Sequence, residues 1–93
     1  MAKATARHIL VNTEKLAKKI KKEIIDNVHT FEKAAKKFSK CSSGKRGGNL
    51  GTFSKGEMVK EFDDVVFTKD LHRIHGPIKT QFGFHLIEIT SRY

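Results

Sequence analysis

Two segments near the ends of the chain alternate apolar and polar side chains, the period-two pattern that is typical of half-buried β-strands. These segments are residues 5–11 (TARHILV) and 84–90 (FHLIEIT). Each predicted strand carries one histidine on an apolar face, His8 in the first strand and His85 in the last. The apolar neighbours on the same faces are Ala6, Leu10, Ile87 and Ile89. We therefore expect a sheet that uses both ends of the chain.

Apolar residues after the first strand change to helical spacing. Leu16, Ile20 and Ile24 recur every four positions, which predicts an amphipathic helix over about residues 13–27. The residues expected to cap this helix or to lie beside its stripe are Asn12, Thr13, Ala17 and Val28. Thr30 then caps a second predicted helix. Its apolar positions follow the i, i+3, i+4, i+7 pattern and are Phe31, Ala34, Ala35 and Phe38.

The second half of the chain contains shorter elements. Residues 41–48 (CSSGKRGG) are rich in glycine and serine and predict a loop. The segments that follow are a strand at 49–53, a helix at 60–67, an irregular stretch at 68–75, a strand at 76–79 and a turn at 80–83. Because the links are short, this order predicts an α+β domain with helices packed on an antiparallel or mixed sheet, and a closing hairpin.

Length and charge set limits on the class of protein. A chain of 93 residues predicts a single domain over residues 1–93 with one modest core. The net charge of +9 lies entirely in residues 1–48, which contain 13 Lys or Arg and 4 Asp or Glu. This asymmetry favours an acidic partner or weak nucleic-acid binding through the basic N-terminal half. A lysine-rich solvated helix face is the more ordinary explanation of the same asymmetry, and the sequence leaves both interpretations open.

The lengths of the apolar runs and the number of cysteines indicate the cellular compartment. The apolar runs are too short to span a membrane, and the first residues do not have the pattern of a secretory leader. The single cysteine excludes an internal disulfide and fits a reducing environment. We therefore expect a cytoplasmic protein that makes no contact with a membrane.

Candidate chemistry centres on the two histidines and the cysteine. His8 and His85 would form a buried polar network if the first and last strands are neighbours. Cys41, placed by the pattern at the end of the second helix, is either an idle thiol or a nucleophile paired with a histidine. Cys41, His72 and His75 match no zinc spacing, so we expect no metal site. The glycines at 44–48 lack the spacing of a phosphate-binding loop, and we expect no nucleotide cofactor.

Several motifs together resemble a known family. ARHILV at 6–11, FSKCSSGKRGGNLG at 38–51, FSKGEMV at 53–59 and GPIKTQFGFHLI at 76–87 are similar to parvulin-type peptidyl-prolyl cis/trans isomerases. The minimal single-domain bacterial parvulin is the nearest likeness. The resemblance covers nearly the whole chain. It implies a four-stranded antiparallel, FKBP-like sheet surrounded by three to four helices. It also implies a monomeric enzyme that assists protein folding without cofactor or metal.

The resemblance also implies roles for particular residues. The expected catalytic residues are His8, Cys41, Thr80 and His85. The expected substrate-binding residues are Leu50, Met58 and Phe62, which hold the substrate proline, with Phe82 at the rim. The implied partners are proline-containing peptides and unfolded or flexible protein segments. Three rival functions stay open on the sequence: a non-catalytic binding module, a basic nucleic-acid-binding protein and a thiol enzyme built on Cys41.

The chain departs from the family pattern at a few positions near the expected pocket. Asn49 replaces an aspartate and Lys60 replaces a proline that many relatives carry. The link at residues 11–14 is too short for the basic loop of phospho-specific relatives, which argues against dependence on phosphorylated substrates. The cations expected near the pocket are Lys40, Lys45 and Arg46. They predict a modest preference for an acidic residue before the substrate proline.

Overall fold

The computed structural model describes residues 2–93 and contains one four-stranded sheet and three α-helices. The strands are β1 (Lys3–Val11), β2 (Asn49–Ser54), β3 (Ile74–Thr80) and β4 (Gly83–Arg92). The helices are α1 (Glu14–Ile25), α2 (Phe31–Phe38) and α3 (Lys60–Thr68), and a short 3-10 helix covers Ser42–Arg46. This architecture confirms the predicted α+β class.

The sheet has the strand order β2-β1-β4-β3, and every pair is antiparallel. The first and last strands of the chain are therefore neighbours at the centre of the sheet, which meets the condition for contact between the two histidines. Their register pairs His8 with Ile87 and Leu10 with His85. Since positions two residues apart on a strand share a face, both histidines project from the same side of the sheet.

Both faces of the central strands are covered by helices. On one face, Ala6 and Ile87 pack against Phe62 and Val66 of α3. On the opposite face, Ile9 and Leu86 pack against the apolar sides of α1 and α2. The alternation of β1 and β4 therefore separates two cores, and each histidine belongs to the face that α3 covers.

The helix ends follow the capping residues of the sequence. Leu16 N–H donates to Thr13 Oγ1 over 3.2 Å at the start of α1, and Lys33 N–H donates to Thr30 Oγ1 over 3.1 Å at the start of α2. The predicted end of α1 was too late. The helix stops at Ile25 because Asn27 adopts a left-handed conformation with φ of 63°. Val28 is consequently 63% exposed and does not join the buried stripe.

Two further boundaries differ from the sequence-based expectation. The predicted loop at 41–48 contains the 3-10 helix, and the predicted irregular stretch at 68–75 ends in β3, which begins at Ile74. The first residues of β3 lack alternation, and their extended form comes from pairing with β4, where Ile74 lies opposite Glu88. Within residues 2–93, no helix has the length and apolarity needed to cross a bilayer.

Candidate functional site

The two central strands bring His8 and His85 into direct contact. Their Nδ1 atoms lie 3.1 Å apart, within hydrogen-bond distance. The rings stack with centroids 5.2 Å apart and an interplanar angle of 16°. Phe62 meets both rings edge-on, with centroid distances of 5.5 Å to His8 and 5.6 Å to His85. The sequence-based expectation that the two imidazoles meet is confirmed.

Thr80 extends this contact into a chain of hydrogen bonds. Its Oγ1 lies 2.7 Å from His85 Nε2 and also accepts the backbone N–H of Phe82 over 3.1 Å. Thr80 and His85 stand near each other because β3 and β4 are joined by only two residues, Gln81 and Phe82. Thr80 therefore fixes the orientation of the His85 ring without lining the cavity described below.

Both histidines favour the neutral state. Burial, followed by the charge of His85, lowers the pKa of His8 from its ordinary value of 6.5 to about 4. Burial also lowers the pKa of His85. With both rings neutral, a single proton occupies the space between the two Nδ1 atoms, so one ring donates and the other accepts. His8 Nε2 is buried and has no hydrogen-bond partner within residues 2–93.

A cavity of about 280 Å³ opens beside the histidine pair. Seven of the eight predicted site residues line it. The eighth, Thr80, does not line the cavity and is hydrogen-bonded to the lining residue His85. Leu10 and Val59 also line the cavity and were not among the predicted site residues. The complete lining is His8, Leu10, Cys41, Leu50, Met58, Val59, Phe62, Phe82 and His85. Phe82 is 60% exposed, which places it at the rim as predicted.

The segment that carries Cys41 is held against β1. Ser39 Oγ accepts the backbone N–H of Leu10 over 3.1 Å and that of Cys41 over 3.3 Å. Lys40 N–H donates to the Leu10 carbonyl over 2.7 Å. Cys41 therefore lies at the start of the 3-10 helix and not at the end of α2, where the sequence pattern put it. The thiol is half-buried and belongs to no disulfide.

Gly48 allows the glycine-rich segment to pass close to β1. His8 N–H donates to the Gly48 carbonyl over 3.0 Å. A Cβ atom on Gly48 would lie 2.3 Å from the His8 carbonyl oxygen, and the φ of 84° is one that L side chains rarely adopt. Glycine at this position therefore allows the segment to approach β1 closely enough to hydrogen-bond the backbone of His8.

The opposite wall of the cavity comes from α3 and the turn before it. Phe62 projects from α3, and Met58 and Val59 precede the helix. Asp63, which is 8% exposed, accepts the backbone N–H of Gly56 at its Oδ1 over 2.9 Å. This hydrogen bond ties the turn to the helix and so fixes the two parts of the wall relative to each other. Asp63 was not among the predicted site residues, because an acidic residue in a first helical turn ordinarily indicates only a favourable dipole interaction.

The predicted cations lie outside the cavity lining. No lysine or arginine is among the nine lining residues. Arg46 instead lines a separate cleft of about 190 Å³ together with Arg7 and Glu32. Lys40, Lys45 and Arg46, which the sequence places near the pocket, therefore contribute nothing to its lining and are exposed.

The arrangement is suited to binding an apolar group and keeping it dry. A covalent hydrolase would need a nucleophile hydrogen-bonded to a base and an oriented set of oxyanion donors. The described hydrogen bonds include none between the Cys41 thiol and either histidine. Within residues 2–93, no cluster of three or more His, Cys, Asp or Glu is arranged to hold a metal ion.

Comparison with known protein families gives a match over most of the chain. The family described as "Rotamase: PPIC-type PPIASE domain" matches residues 3–91. The chain is 47% identical over 89 residues to the foldase protein PrsA of Exiguobacterium sibiricum, covering 94% of this chain and 29% of that protein. It is 43% identical over 87 residues to foldase protein PrsA 1 of Bacillus cereus, covering 92% and 30%. The chain thus spans about a third of the length of these curated relatives.

Solved structures give the same result at the level of the fold. The crystal structure of the peptidylprolyl isomerase PrsA from Bacillus anthracis is similar with a TM-score of 0.92 and 35% identity, over 99% of this chain and 42% of that one. The solution structure of NmPin, the parvulin of Nitrosopumilus maritimus, is similar with a TM-score of 0.85 and 38% identity, over 98% of both chains. The similarity to NmPin extends across nearly the whole length of both chains.

Proposed function

The chain belongs to the PpiC-type, parvulin-like family of peptidyl-prolyl cis/trans isomerases, and on that premise we propose that it rotates X-Pro bonds held in the cavity beside His8 and His85. The observation that carries this proposal is the cavity itself, which is apolar on most sides and closed at its base by two stacked neutral imidazoles. Its volume of about 280 Å³ suits a proline ring and part of a neighbouring residue.

The energy barrier to rotation about the X-Pro bond is the quantity that the enzyme must lower. Amide resonance gives a rotation barrier of about 18–20 kcal/mol. The twisted amide has less charge separation than either planar form, so transfer from water into an apolar cavity favours the twisted state. Leu50, Met58 and Phe62 grip the pyrrolidine ring and exclude water. Lowering the barrier by about 5–8 kcal/mol accelerates exchange by roughly four to six powers of ten.

In this mechanism the histidine pair acts as a scaffold. Rotation neither makes nor breaks a covalent bond, so no proton transfer is required. His8 and His85 form a flat, neutral floor whose position is fixed by their mutual hydrogen bond and by Thr80. A charged imidazole in that position would attract water and solvate the planar amide, which opposes catalysis.

Cys41 contributes a small, weakly polar surface beside the substrate carbonyl. A thiol is a weak hydrogen-bond donor and is readily desolvated, so it can contact the carbonyl without competing strongly for it. The absence of a base hydrogen-bonded to the thiol among the described contacts supports this non-covalent role. The rival thiol enzyme accordingly has no support in the geometry.

The function is tested by exchange NMR on short peptides that contain one X-Pro bond. We expect exchange to accelerate in proportion to protein concentration and to be unaffected by a metal chelator, because no step requires a metal or cofactor. A non-catalytic binding module would bind the same peptides and leave their exchange rates at the uncatalysed value of tens to hundreds of seconds. That result, obtained for every residue before proline, would remove the enzymatic function.

The residue before proline is expected to be apolar. Leu10 and the exposed ring of Phe82 extend the apolar lining past the proline site, and no cation lines the cavity. We expect Leu-Pro peptides to have the highest kcat/KM. Glu-Pro should exceed Lys-Pro by only about threefold at low salt, because the cations near the pocket are exposed and screened. Measuring all three peptides at low and high salt checks this, and a Lys-Pro preference would contradict it.

The physiological setting is a further part of the proposal. We infer that the clients are proline-containing and unfolded or flexible protein segments, and that the domain assists their folding. The free, half-buried Cys41 supports a reducing compartment, in line with the predicted cytoplasmic location. The monomeric state and the nucleic-acid partner of the basic half stay predictions. The foldase relatives are about three times longer than this chain, so their activity as whole proteins is attributed to them alone.

A further inference from the structure

Two large apolar side chains lie exposed at the C-terminal end of α1. Ile25 is 61% exposed and Val28 is 63% exposed. The sequence pattern placed Val28 beside the buried stripe of α1, but the left-handed Asn27 turns the chain away from the sheet before Val28 is reached. Within residues 2–93 neither side chain belongs to either hydrophobic core. Clustered exposure of this kind marks an interaction surface more often than isolated apolar residues do.

Three clefts surround these residues, and together we call them the Ile25 surface. Their volumes are about 470, 420 and 390 Å³. Ile25 lines the first two, Ile24 lines the first and third, and Val28 lines the third. Ile74 and Pro77 of β3 add apolar walls to the first and second clefts. The surface is therefore an apolar ridge between hollows that are each large enough for several side chains.

The rim of the Ile25 surface is positively charged. Five lysines or arginines line the three clefts against two carboxylates, Asp26 and Glu88. Asp26 lies 2.7 Å from Lys22 Nζ, and Glu88 forms an ion pair with Arg7. Lys18 and Arg73 each lie 3.8 Å from a carboxylate, Glu14 and Asp70, so Lys21 and Lys33 are the rim cations without an ion pair among the described residues. The basic residues of the rim are Lys18, Lys21, Lys22, Lys33 and Arg73. An occupant with both apolar and acidic side chains would match this distribution.

We propose that the Ile25 surface binds acidic polypeptide segments that carry apolar side chains, and that these segments flank the prolines of client chains. The inference rests on the proposed function, because only a polypeptide substrate supplies such flanks. A nucleic-acid backbone would meet the cations but would leave the exposed Ile25 and Val28 without apolar contacts. A polypeptide places leucine-sized side chains in the clefts and carboxylates on the rim.

The position of the surface allows one client to occupy both sites. α1 packs on the sheet face opposite to α3, so the Ile25 surface does not overlap the cavity. The Cα extents of the molecule are 36, 25 and 22 Å, and a client that passes around it from one face to the other needs roughly ten to twenty extended residues at about 3.3 Å each. A client held at the surface therefore presents its proline to the cavity at a raised effective concentration.

The test uses a fluorescently labelled, proline-free peptide of fourteen residues built from Glu-Glu-Leu repeats. Fluorescence anisotropy should show binding that weakens with added salt. Ile25→Glu should weaken it by about tenfold or more, because the variant loses apolar contact and adds like-charge repulsion. The matched control is Tyr93→Glu, which makes the same charge change at a side chain that is 67% exposed and lies outside the three clefts. It should change the affinity less than about threefold.

Turnover separates this inference from the proposed function. A Leu-Pro tetrapeptide is too short to leave the cavity, so Ile25→Glu should turn it over like the unmodified protein. A long substrate with a Glu-Leu flank should lose several-fold in kcat/KM in the same variant. Absence of tetrapeptide turnover in the unmodified protein would contradict the proposed function, while the peptide affinities would still test binding at the Ile25 surface. Equal peptide affinity in Ile25→Glu and the unmodified protein would overturn the inference, as would binding of single-stranded DNA or anionic vesicles without binding of the peptide, or self-association that Ile25→Glu abolishes.

Discussion

Replacement of Cys41 by tryptophan is expected to reduce kcat/KM for X-Pro peptides by about a hundredfold or more, because the indole fills the cavity that lowers the rotation barrier. The cavity holds only about 280 Å³, and the half-buried Cys41 lies on its wall. The protein should stay folded, since the new ring occupies existing space. The loss is measured by exchange NMR, with circular dichroism to verify the fold.

Two companion variants make this expectation specific. Lys40→Trp introduces the same ring at the exposed neighbouring residue, outside the cavity lining, and should retain near-full activity. Cys41→Asp keeps a small polar side chain at the site and should stay within about tenfold of the unmodified protein, because the proposed role needs no nucleophile. Complete loss in Cys41→Asp, or a covalent substrate adduct on Cys41, would restore the nucleophilic role instead.

Acid should destabilise the fold through the histidine pair. The unfolded chain binds a proton at His8 below pH 6.5, whereas the folded protein does so only below about 4. Because the unfolded state binds more protons between these values, stability rises with pH through this window. The contribution of the neutral His8 to the free energy of unfolding is therefore fully present above about pH 6.5. It is lost as the pH falls from there to about 4. The loss is about 3 kcal/mol, a large share of the stability of a small domain.

Urea unfolding between pH 4 and 8 measures this loss. His8→Asn should be less stable at pH 7 by about 1–3 kcal/mol, because a polar partner of His85 is disturbed in a buried site. Its stability should also depend less on pH over the same window. His72→Asn is the matched control, since His72 is exposed and its left-handed φ of 63° suits asparagine. A pH dependence that is identical in His8→Asn and the unmodified protein would assign the acid sensitivity to other groups.

The sequence by itself determined the elements and much of the site. Alternation at 5–11 and 84–90 predicted the strands that became β1 and β4, and Thr13 and Thr30 predicted the helix starts. These patterns are local, because strand alternation and helix capping depend on residues a few positions apart. The family motifs then predicted eight site residues. The structure brings seven of them to one cavity and links Thr80 to it through His85.

Only the tertiary structure decided how the elements combine. The contact between His8 and His85 joins residues 77 positions apart, and it depends on the register of β1 against β4. The hydrogen bond from Gly56 to Asp63 likewise depends on how a turn folds back on α3. Sequence period gives the face of an element but not its partner, because pairing is settled by the burial of all faces together. For the same reason, the structure alone shows that Val28 stays exposed and that no lysine or arginine lines the pocket.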